Sequence, residues 1–359
     1  MNEHSEAENI RRRKLDGLNL PLKREVQART TSTYLEHVAL VHNALPELDY
    51  DEIDTATVFL NHNFSVPIFV DAMTGGTPEA ATINQRLAEA ASALGFGMGV
   101  GSQRAGLKSA ELAATYSVAR RFGPGAFLMA NIGASQLARG LSLTEVRQIV
   151  DMIDANALAV HLNPLQELIQ PEGEANFKGV LDRIAELARS LNIPVVIKEV
   201  GAGISKEVAL RLETAGVGAI NIAGSGGTSW AGVEKLRAEA AGSQLKMHLG
   251  EMFWDWGIPT AASLVEVRKS VRLPLIASGG LRTGLDVAKC IALGADMCAM
   301  AYPFLKQAAN SLEAVMQFSQ VLLAELRSAM YLVGARNIEA LKAARVVLTG
   351  PLVEWSRQR

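Results

Sequence analysis

The sequence has 359 residues, 49% of them hydrophobic, and a formal net charge of −2. This length admits two ordinary domains or one α/β barrel with extensions, and so small a charge gives no electrostatic case for nucleic-acid binding. The two cysteines, Cys290 and Cys298, lie in apolar surroundings, which favours buried thiols over a disulfide framework. Residues 1–10 are polar and acidic, and no apolar run reaches about 18 residues, so we expect a cytoplasmic protein without a secretory signal or membrane span.

The first 64 residues are predicted to form an extension that precedes the main domain. The first 12 or so residues are expected to be flexible, and the basic cluster Arg11-Arg12-Arg13-Lys14, taken alone, fits a solvated tail. Residues 30–64 are predicted to mix helix and loop, with Asn61-His62-Asn63 as a turn that leads into the first strand.

From residue 65 the chain repeats one pattern, in which a short apolar run ends in small or polar residues and a helical stretch follows. Eight such runs are present, at Val66–Ala72, Gly97–Gly101, Phe127–Ile132, Ala157–Leu162, Val195–Lys198, Ala219–Ala223, Leu275–Ala277 and Met297–Ala301. Continuous apolar runs without polar alternation are typical of strands buried on both faces, as in a parallel sheet with helices outside it.

The glycines between these units favour a closed barrel. Several helical stretches end in glycine just before the next strand, as at Gly95, Gly216 and Gly294, and glycine is the usual residue of a left-handed helix C-cap. Eight β/α units predict a TIM (β/α)8 barrel over residues 65–306, with helices in residues 307–359 that complete its wall. The alternative, two Rossmann-like halves, requires a Gly-x-Gly-x-x-Gly turn with an acid about 20 residues later, and the sequence lacks that pair.

The ends of the last two strands predict a phosphate site. The seventh strand ends at Gly279-Gly280-Leu281-Arg282, just before a helix start at Gly284, and the eighth ends at Ala299-Met300-Ala301. In TIM barrels these two loops commonly hold a phosphate on backbone N–H groups and a helix N-terminus. Glycine lets the backbone approach the phosphate closely, and arginine adds charge and a fork of donors.

Polar residues end the other strands as well: Thr74, Ser102 and Asn131 follow the first three, His161–Glu167 the fourth, Lys198-Glu199 the fifth and Gly224–Trp230 the sixth. Strand ends of a barrel meet at one mouth, so these groups and the phosphate site together predict a phosphorylated planar cofactor, for which FMN is the natural candidate. Lys198 would then put positive charge near N1 of the flavin. Taken singly, Lys198 more often pairs with a neighbour such as Glu199, and a lone His161 is more often a core residue; their joint placement carries the prediction.

The connection between the sixth and seventh strands, from Gly224 to Pro274, is the longest of the barrel. It contains Ser229-Trp230, Glu234 and the aromatic group Phe253-Trp254-Asp255-Trp256. Long loops on the C-terminal face of a barrel usually cover the active site, and we expect the same here.

Six strings of residues follow one another along nearly the whole chain: Met73-Thr74-Gly75-Gly76, Met98–Arg104, His161–Glu167 with Gln170–Gly173, Gly226–Trp230, Trp256–Thr260 and Ser278–Gly284. In this order they resemble the type 2 isopentenyl-diphosphate isomerases, a family that uses FMN. The string His161-Leu162-Asn163-Pro164-Leu165-Gln166-Glu167 is the most specific of them, whereas Ser-Gly-Gly occurs in many FMN barrels.

The resemblance implies conversion of isopentenyl diphosphate to dimethylallyl diphosphate by a 1,3-proton shift, with reduced FMN, Mg²⁺, NADPH as the reductant of FMN, and a homotetramer or larger assembly. It implies FMN contacts for Ala72, Met73, Thr74, Ser102, Asn131, Lys198, Thr228, Gly279, Gly280, Arg282, Ala299, Met300 and Ala301. It implies substrate contacts for Arg13, Lys14, Arg104, His161, Asn163 and Gln166, of which Arg13 and Lys14 would reach a diphosphate in a neighbouring subunit. Glu167 would hold Mg²⁺, and Gln166 and Glu234 would lie in the proton path.

The sequence departs from the family pattern at two places. Asp16 is followed by Gly17, where the family usually has histidine, and Asp71-Ala72 stands where small neutral residues are common. Two other functions are open to a barrel of this kind. An FMN-dependent 2-hydroxy-acid oxidase resembles its relatives in an Asn-His-Gly-Gly-Arg string, and no histidine precedes either Gly-Gly pair in the Ser225–Thr228 and Ser278–Leu281 strings. A non-catalytic flavin-binding protein would not need an intact His161–Glu167 string.

Overall fold

The computed structural model of this protein describes residues 3–173 and 175–357, with side chains described from residue 12 onward. Within these residues the chain forms twelve strands: β1 (Val38–Leu40), β2 (Thr57–Phe59), β3 (His62–Phe64), β4 (Ile68–Val70), β5 (Gly97–Gly99), β6 (Phe127–Gly133), β7 (Ala157–His161), β8 (Val195–Lys198), β9 (Ala219–Asn221), β10 (Leu275–Ser278), β11 (Met297–Met300) and β12 (Val346–Leu348).

The same described residues form sixteen α-helices: α1 (Glu3–Lys23), α2 (Pro78–Leu94), α3 (Ala110–Phe122), α4 (Ala134–Ala138), α5 (Leu143–Asp151), α6 (Pro164–Ile169), α7 (Val180–Ser190), α8 (Lys206–Thr214), α9 (Trp230–Ala240), α10 (Gln244–Met252), α11 (Thr260–Ser270), α12 (Gly284–Ala292), α13 (Tyr302–Asn310), α14 (Leu312–Leu332), α15 (Ile338–Lys342) and α16 (Gly350–Arg357). Short 3-10 helices cover Leu35–His37, Tyr50–Glu52 and Gln103–Leu107. None of the helices described is both long enough and apolar enough to cross a membrane.

Strands β4 to β11 form a closed barrel in which neighbouring strands are parallel. Each strand pairs with the next one along the chain, and β11 closes the ring onto β4 through pairs such as Ala299 with Phe69. The predicted TIM barrel is confirmed, and each of the eight apolar runs contains or overlaps one of its strands. Several strands are shorter than those runs, because the chain turns into a loop before the apolar residues end, as after Val70.

The barrel interior is apolar at the end where the strands begin. Phe69, Phe127 and Met129 belong to a buried cluster there, and the hairpin of β2 and β3 covers it with Phe59 and Phe64. The prediction of helix and loop for residues 30–64 is wrong at this hairpin. Its turn is made by Leu60 and Asn61, with φ of 49° and 62°, and two positive φ angles are what a two-residue hairpin turn requires.

The extensions on either side of the barrel contact each other. Strand β1 pairs with β12 in antiparallel register, with Val38 opposite Leu348, so the segment before the barrel is joined to the segment after it. Strand β12 was not foreseen among the predicted C-terminal helices. Helix α1 begins at Glu3, and flexibility of the first dozen residues stays a prediction, as do the domain boundaries.

Candidate active site

A deep cavity opens where the barrel strands end, and helix α1 and helix α9 form part of its wall. Of the residues singled out from the sequence, the following line it: Arg13, Lys14, Ala72, Met73, Thr74, Ser102, Asn131, His161, Asn163, Gln166, Glu167, Lys198, Thr228, Glu234, Gly279, Gly280, Arg282, Ala299, Met300 and Ala301. Arg104 is not among the lining residues; it is exposed on the 3-10 helix that follows β5. Its contact with substrate stays a prediction.

The polar floor of this cavity follows from the two-residue period of the strands. Inward-facing positions are apolar lower in the barrel, for example Met129, Val196 and Ile276. Two residues further along each strand the same inward direction is taken by Asn131, Lys198 and Ser278. The barrel therefore changes from an apolar core to a polar floor within one step of the strands, at Asp71, Asn131, His161, Lys198, Asn221 and Ser278.

Lys198 forms a buried ion pair with Asp71 and not with Glu199. The distance from Lys198 Nζ to Asp71 Oδ1 is 3.7 Å, and both side chains are under 10% exposed (6% and 8%). Lys198 Nζ also donates to the carbonyl of Glu199 at 2.9 Å. The Glu199 carboxylate turns away and accepts three backbone N–H groups, from residues 200 to 202, at 2.6–2.7 Å. Burial raises the pKa of Glu199 to about 7, and these three donors act in the opposite direction.

Hydrogen bonds extend this pair across the floor. Asn221 Nδ2 donates to Asp71 Oδ2 at 3.4 Å, and Ser278 Oγ donates to Asn221 Oδ1 at 2.6 Å. The network therefore joins β4, β8, β9 and β10 beneath the cavity. Asp71 had been noted only as a departure from a family pattern, and its role as the partner of Lys198 was not foreseen.

The turn after β10 forms a cradle of bare backbone. Gly279 and Gly280 have φ of 98° and 76°, and a Cβ on Gly280 would lie 2.4 Å from Thr33 Cγ2, so only glycine fits there. The Arg282 guanidinium donates to Gln27 Oε1 at 2.6 Å, and Gln27 Nε2 donates to Thr228 at 3.3 Å. The segment before the barrel thus covers the cradle, and helix α13 begins directly after Ala301 on its other side. The donors and the close backbone suit a phosphate group.

A row of polar side chains crosses the opposite side of the mouth. Asn163 Nδ2 donates to Gln166 Oε1 at 3.2 Å, and Gln166 Nε2 donates to Glu234 Oε1 at 2.9 Å. Asn163 Oδ1 is buried without a hydrogen-bond partner, which is consistent with a ligand that donates to it. Burial raises the pKa of Glu234, while the charge of Arg237 and the hydrogen bond from Gln166 lower it.

His161 is held in one tautomer. Its Nδ1 lies 2.8 Å from Asn131 Oδ1, and the Asn131 amide is oriented because its Nδ2 donates to the Val100 carbonyl at 3.1 Å. Nδ1 therefore carries the proton and donates, and Nε2 keeps a free lone pair. Burial, followed by the charges of Lys198, Lys14 and Arg13, lowers the pKa of His161 to about 3.

Positive charge surrounds the cavity from several elements. Arg13 and Lys14 on α1 line the cavity of their own chain, together with Lys198 and Arg282. Lys14 Nζ donates to the Ser102 carbonyl at 2.8 Å, and burial, with a smaller contribution from Arg13, lowers the pKa of Lys14 to about 7. A bound anion would reverse that shift, so the cavity is suited to a strongly anionic ligand.

The long connection contributes to the wall through Gly224, Thr228 and helix α9. Trp230, Glu234 and Arg237 line the cavity, whereas Trp254 packs beneath α9 and Trp256 is 63% exposed. Sequence reasoning missed Arg237, although it lies one helical turn after Glu234, and a residue at that spacing shares its face. Other lining residues to which it gave no role include Gln136, Gln170 and Tyr302.

The chain was compared with protein-family models and with known proteins. Residues 163–348 match the model of the FMN-dependent dehydrogenases. Proteins named isopentenyl-diphosphate delta-isomerase are 47% identical in Methanosarcina barkeri, covering 97% of this chain and 94% of that protein, and 48% identical in Halobacterium salinarum, covering 97% and 96%. The Pyrococcus furiosus protein of that name is 47% identical, covering 97% and 89%.

Solved structures of mandelate oxidase share the fold. One of them superposes with a TM-score of 0.61 over 96% of this chain and 98% of its own, at 21% sequence identity. At that identity the likeness concerns the barrel and not the reaction.

Proposed function

This chain belongs to the isopentenyl-diphosphate delta-isomerases, and we propose that it converts isopentenyl diphosphate to dimethylallyl diphosphate by a 1,3-proton shift that uses reduced FMN and Mg²⁺. The observation that supports this most is the pairing of Gln166 with Glu234 across 2.9 Å in the same cavity that contains the Gly279–Arg282 cradle. A proton-handling pair and an anion cradle are what a flavin-assisted isomerisation of a diphosphate requires.

The residues present fit FMN. The cradle excludes any side chain at Gly280, leaves backbone N–H groups and Arg282 for a phosphate, and lies at the loops that hold phosphate in TIM barrels. Thr74, Ser102, Asn131 and Thr228 would contact the ring edge, and Lys198 would offer positive charge to a reduced ring. When bound, reduced FMN supplies an N5 proton and an electron-rich face that stabilises positive charge.

The residues also fit Mg²⁺ held jointly with substrate. Glu167 accepts hydrogen bonds from Ser135 and Asn163, at 3.4 and 3.2 Å, so its carboxylate is oriented at the cavity wall. The described residues contain no cluster of three metal-binding side chains. Mg²⁺ is commonly held by one or two carboxylates together with substrate phosphate oxygens, which is the arrangement we propose.

The protein's own residues then divide the work. Arg13, Lys14, His161 and Asn163 would bind the diphosphate. Because the alkene is uncharged and forms no ion pairs, these contacts with the diphosphate would fix the position of the alkene in the cavity. His161 must accept a proton at Nε2 before it can donate to a phosphate oxygen. We propose that Gln166 orients the reacting carbons and relays a proton, and that Glu234, whose pKa burial raises, accepts and returns it.

The assembly and the source of electrons are proposals as well. We propose a cytoplasmic homotetramer or larger homo-oligomer, which the exposed apolar side chains Leu245, Met252 and Trp256 on and after α10 would suit. We propose NADPH as the reductant of FMN.

The test is an anaerobic assay of purified protein. The visible spectrum is recorded, the protein is reduced with NADPH or dithionite, and dimethylallyl diphosphate is measured after addition of Mg²⁺ and isopentenyl diphosphate. A yellow protein that is active only when reduced supports the proposal. A yellow protein that forms no product refutes the substrate assignment, and a protein that binds no FMN refutes the cofactor.

A further inference from the structure

Arg237 holds three carboxylates from three separate parts of the chain. Its Nη1 donates to Glu234 Oε2 at 2.6 Å, its Nε lies 3.3 Å from Asp16 Oδ2 on α1, and its Nη2 donates to Glu172, which follows α6. The Arg237 side chain is 8% exposed, and that of Glu234 is 2% exposed. Each nitrogen of the guanidinium therefore has its own acidic partner; Arg237 and Glu234 are largely removed from water, whereas Asp16 and Glu172 are partly exposed.

We propose that Arg237 is a positioning residue with two effects. It fixes the Glu234 carboxylate against Gln166, and its ion pair with Asp16, called the latch below, holds α1 over the cavity. The inference rests on the proposed function for its effect on turnover, but the latch itself is independent of it. Both oxygens of Glu234 are committed, Oε1 to Gln166 and Oε2 to Arg237, so the direction of the carboxylate is set by these two bonds.

The latch matters because α1 carries two of the cationic groups of the cavity. Arg13 and Lys14 lie within one helical turn of Asp16, so a displacement of Asp16 from Arg237 moves them as well. Next to Asp16 the helix is packed at Leu18, which is buried in the core, but not at Gly17. Gly17 has no side chain, and a Cβ there would find only Trp230 Cη2, at 3.9 Å. A glycine in a helix interior also destabilises the helix relative to alanine.

The geometry requires arginine and not merely a positive charge. A planar guanidinium presents five N–H donors in fixed directions, whereas the lysine ammonium is a point charge with three donors at the end of a flexible chain. Lysine at 237 would reach one of the carboxylates and leave the others without a partner. Arg237→Lys is therefore the sharpest variant for separating the fork from the charge.

Two readouts separate the latch from the catalytic effect. Amide hydrogen exchange of α1 reports the latch without any substrate. Steady-state kinetics with isopentenyl diphosphate report KM, which depends on Arg13 and Lys14, and kcat, which depends on Glu234. Asp16→Asn should speed exchange in α1 at least tenfold and raise KM several-fold, with kcat within twofold of wild type because the Arg237–Glu234 pair is retained.

Arg237→Gln and Arg237→Lys should loosen α1 to the same extent and in addition lower kcat at least a hundredfold. Glu234 faces Arg237 on its own helix, Glu172 after α6 and the neutral Gln166 on α6, with Asp16 of α1 behind the guanidinium. Without the guanidinium the pKa of Glu234 rises further, so in Arg237→Gln the acid limb of the kcat profile should move to higher pH. A purely structural role would not move it.

Asp154→Asn is the matched control. Asp154 lies 3.8 Å from Arg120 but is 90% exposed and is not among the residues that line the cavity, so neither readout should change. If the Arg237 variants fail to fold, Asp16→Asn still decides the latch, since Asp16 is partly exposed and its loss is mild. Unchanged α1 exchange and KM in Asp16→Asn would overturn the latch. Faster exchange in a protein that isomerises nothing would support the latch and overturn the proposed function instead.

Discussion

The buried pair of Lys198 and Asp71 makes a quantitative prediction. Asp71→Asn removes one charge from a pair separated by 3.7 Å, with both side chains almost inaccessible to water. With an effective dielectric constant of about 20, the interaction of two unit charges at this distance is about 4.5 kcal/mol. Removal of one partner of a buried pair typically costs about 3–5 kcal/mol, because the remaining charge stays buried. We expect Asp71→Asn to lower the free energy of unfolding by an amount in that range.

Asparagine cannot repair the network by hydrogen bonding. Asn221 donates to Asp71 Oδ2, and the orientation of the Asn221 amide is fixed because its oxygen accepts from Ser278. Asp71 Oδ1 also accepts from the N–H of Ala72 at 2.8 Å. If asparagine at position 71 accepts the bond from the Ala72 N–H with its amide oxygen, its own NH₂ takes the place of Asp71 Oδ2. That NH₂ then faces the NH₂ of Asn221, and both groups are donors.

The measurement is urea unfolding of the wild type, Asp71→Asn, Lys198→Met and the double variant, all without FMN. Each single variant leaves an unpaired buried charge, whereas the double variant leaves none. The double variant should therefore be more stable than the sum of the two losses predicts, with a coupling of about 3 kcal/mol or more. Additive losses, or an Asp71→Asn protein within 1 kcal/mol of wild type, would refute the claim that these groups interact as an ion pair.

Three further variants test other parts of the site. Glu167→Gln should raise the Mg²⁺ concentration needed for half-maximal turnover at least about tenfold and leave FMN content unchanged; equal Mg²⁺ dependence would remove the metal assignment. Gly280→Ala should weaken FMN binding, measured by fluorescence titration, at least about tenfold, because relief of the clash with Thr33 and of the positive φ, which costs about 1–2 kcal/mol, would displace the cradle backbone. Gly140→Ala, with φ of 90° and open space around it, should leave binding unchanged. His161 has its pKa lowered to about 3, so from about pH 6.5 down to 3 the unfolded state binds the extra proton and wild type loses stability. His161→Gln should lack this loss of stability, which is at most about 1.4 kcal/mol per pH unit. If the urea midpoints of wild type and His161→Gln changed equally between about pH 6.5 and 3, this prediction would be wrong.

The barrel could be predicted from the sequence because its signals are local. An apolar run such as Val195–Lys198, followed by a helical stretch and a glycine, can be predicted as a strand without information from the rest of the chain. The hairpin of β2 and β3 was missed because each strand has three residues, and the alternation that buries Phe59 and Phe64 while exposing Val58 is too short to stand out. The pairing of β1 with β12 joins segments about 300 residues apart along the chain, and no local pattern specifies such a partner.

The candidate site divides in the same way. Residues at strand ends were predicted because parallel strands bring their ends together whatever the rest of the chain does. The hydrogen-bond and ion-pair partners of these residues were not predicted, because such partners are set by distances in three dimensions and not along the sequence. Sequence adjacency suggested Glu199 for Lys198, yet adjacent residues in a strand point in opposite directions, and the carboxylate that faces Lys198 belongs to Asp71 across the barrel. Arg104 was predicted to contact substrate but is exposed, and the buried residue at this place is its neighbour Gln103.

The alternation of inward and outward side chains along the strands also explains why the charged residues at the strand ends lie in one layer, the cavity floor. Inward positions alternate with outward ones, so each strand offers the cavity floor one residue, and the residue below it must fill the apolar core. A charge placed in that single layer is buried and needs a partner from another strand, which Asp71 provides for Lys198. Glu234 and Lys14, for which we propose proton transfer and diphosphate binding, lie instead on helices that form part of the cavity wall. The ends of the strands thus supply the buried ion pair, and helices α1 and α9 supply these two further ionisable groups.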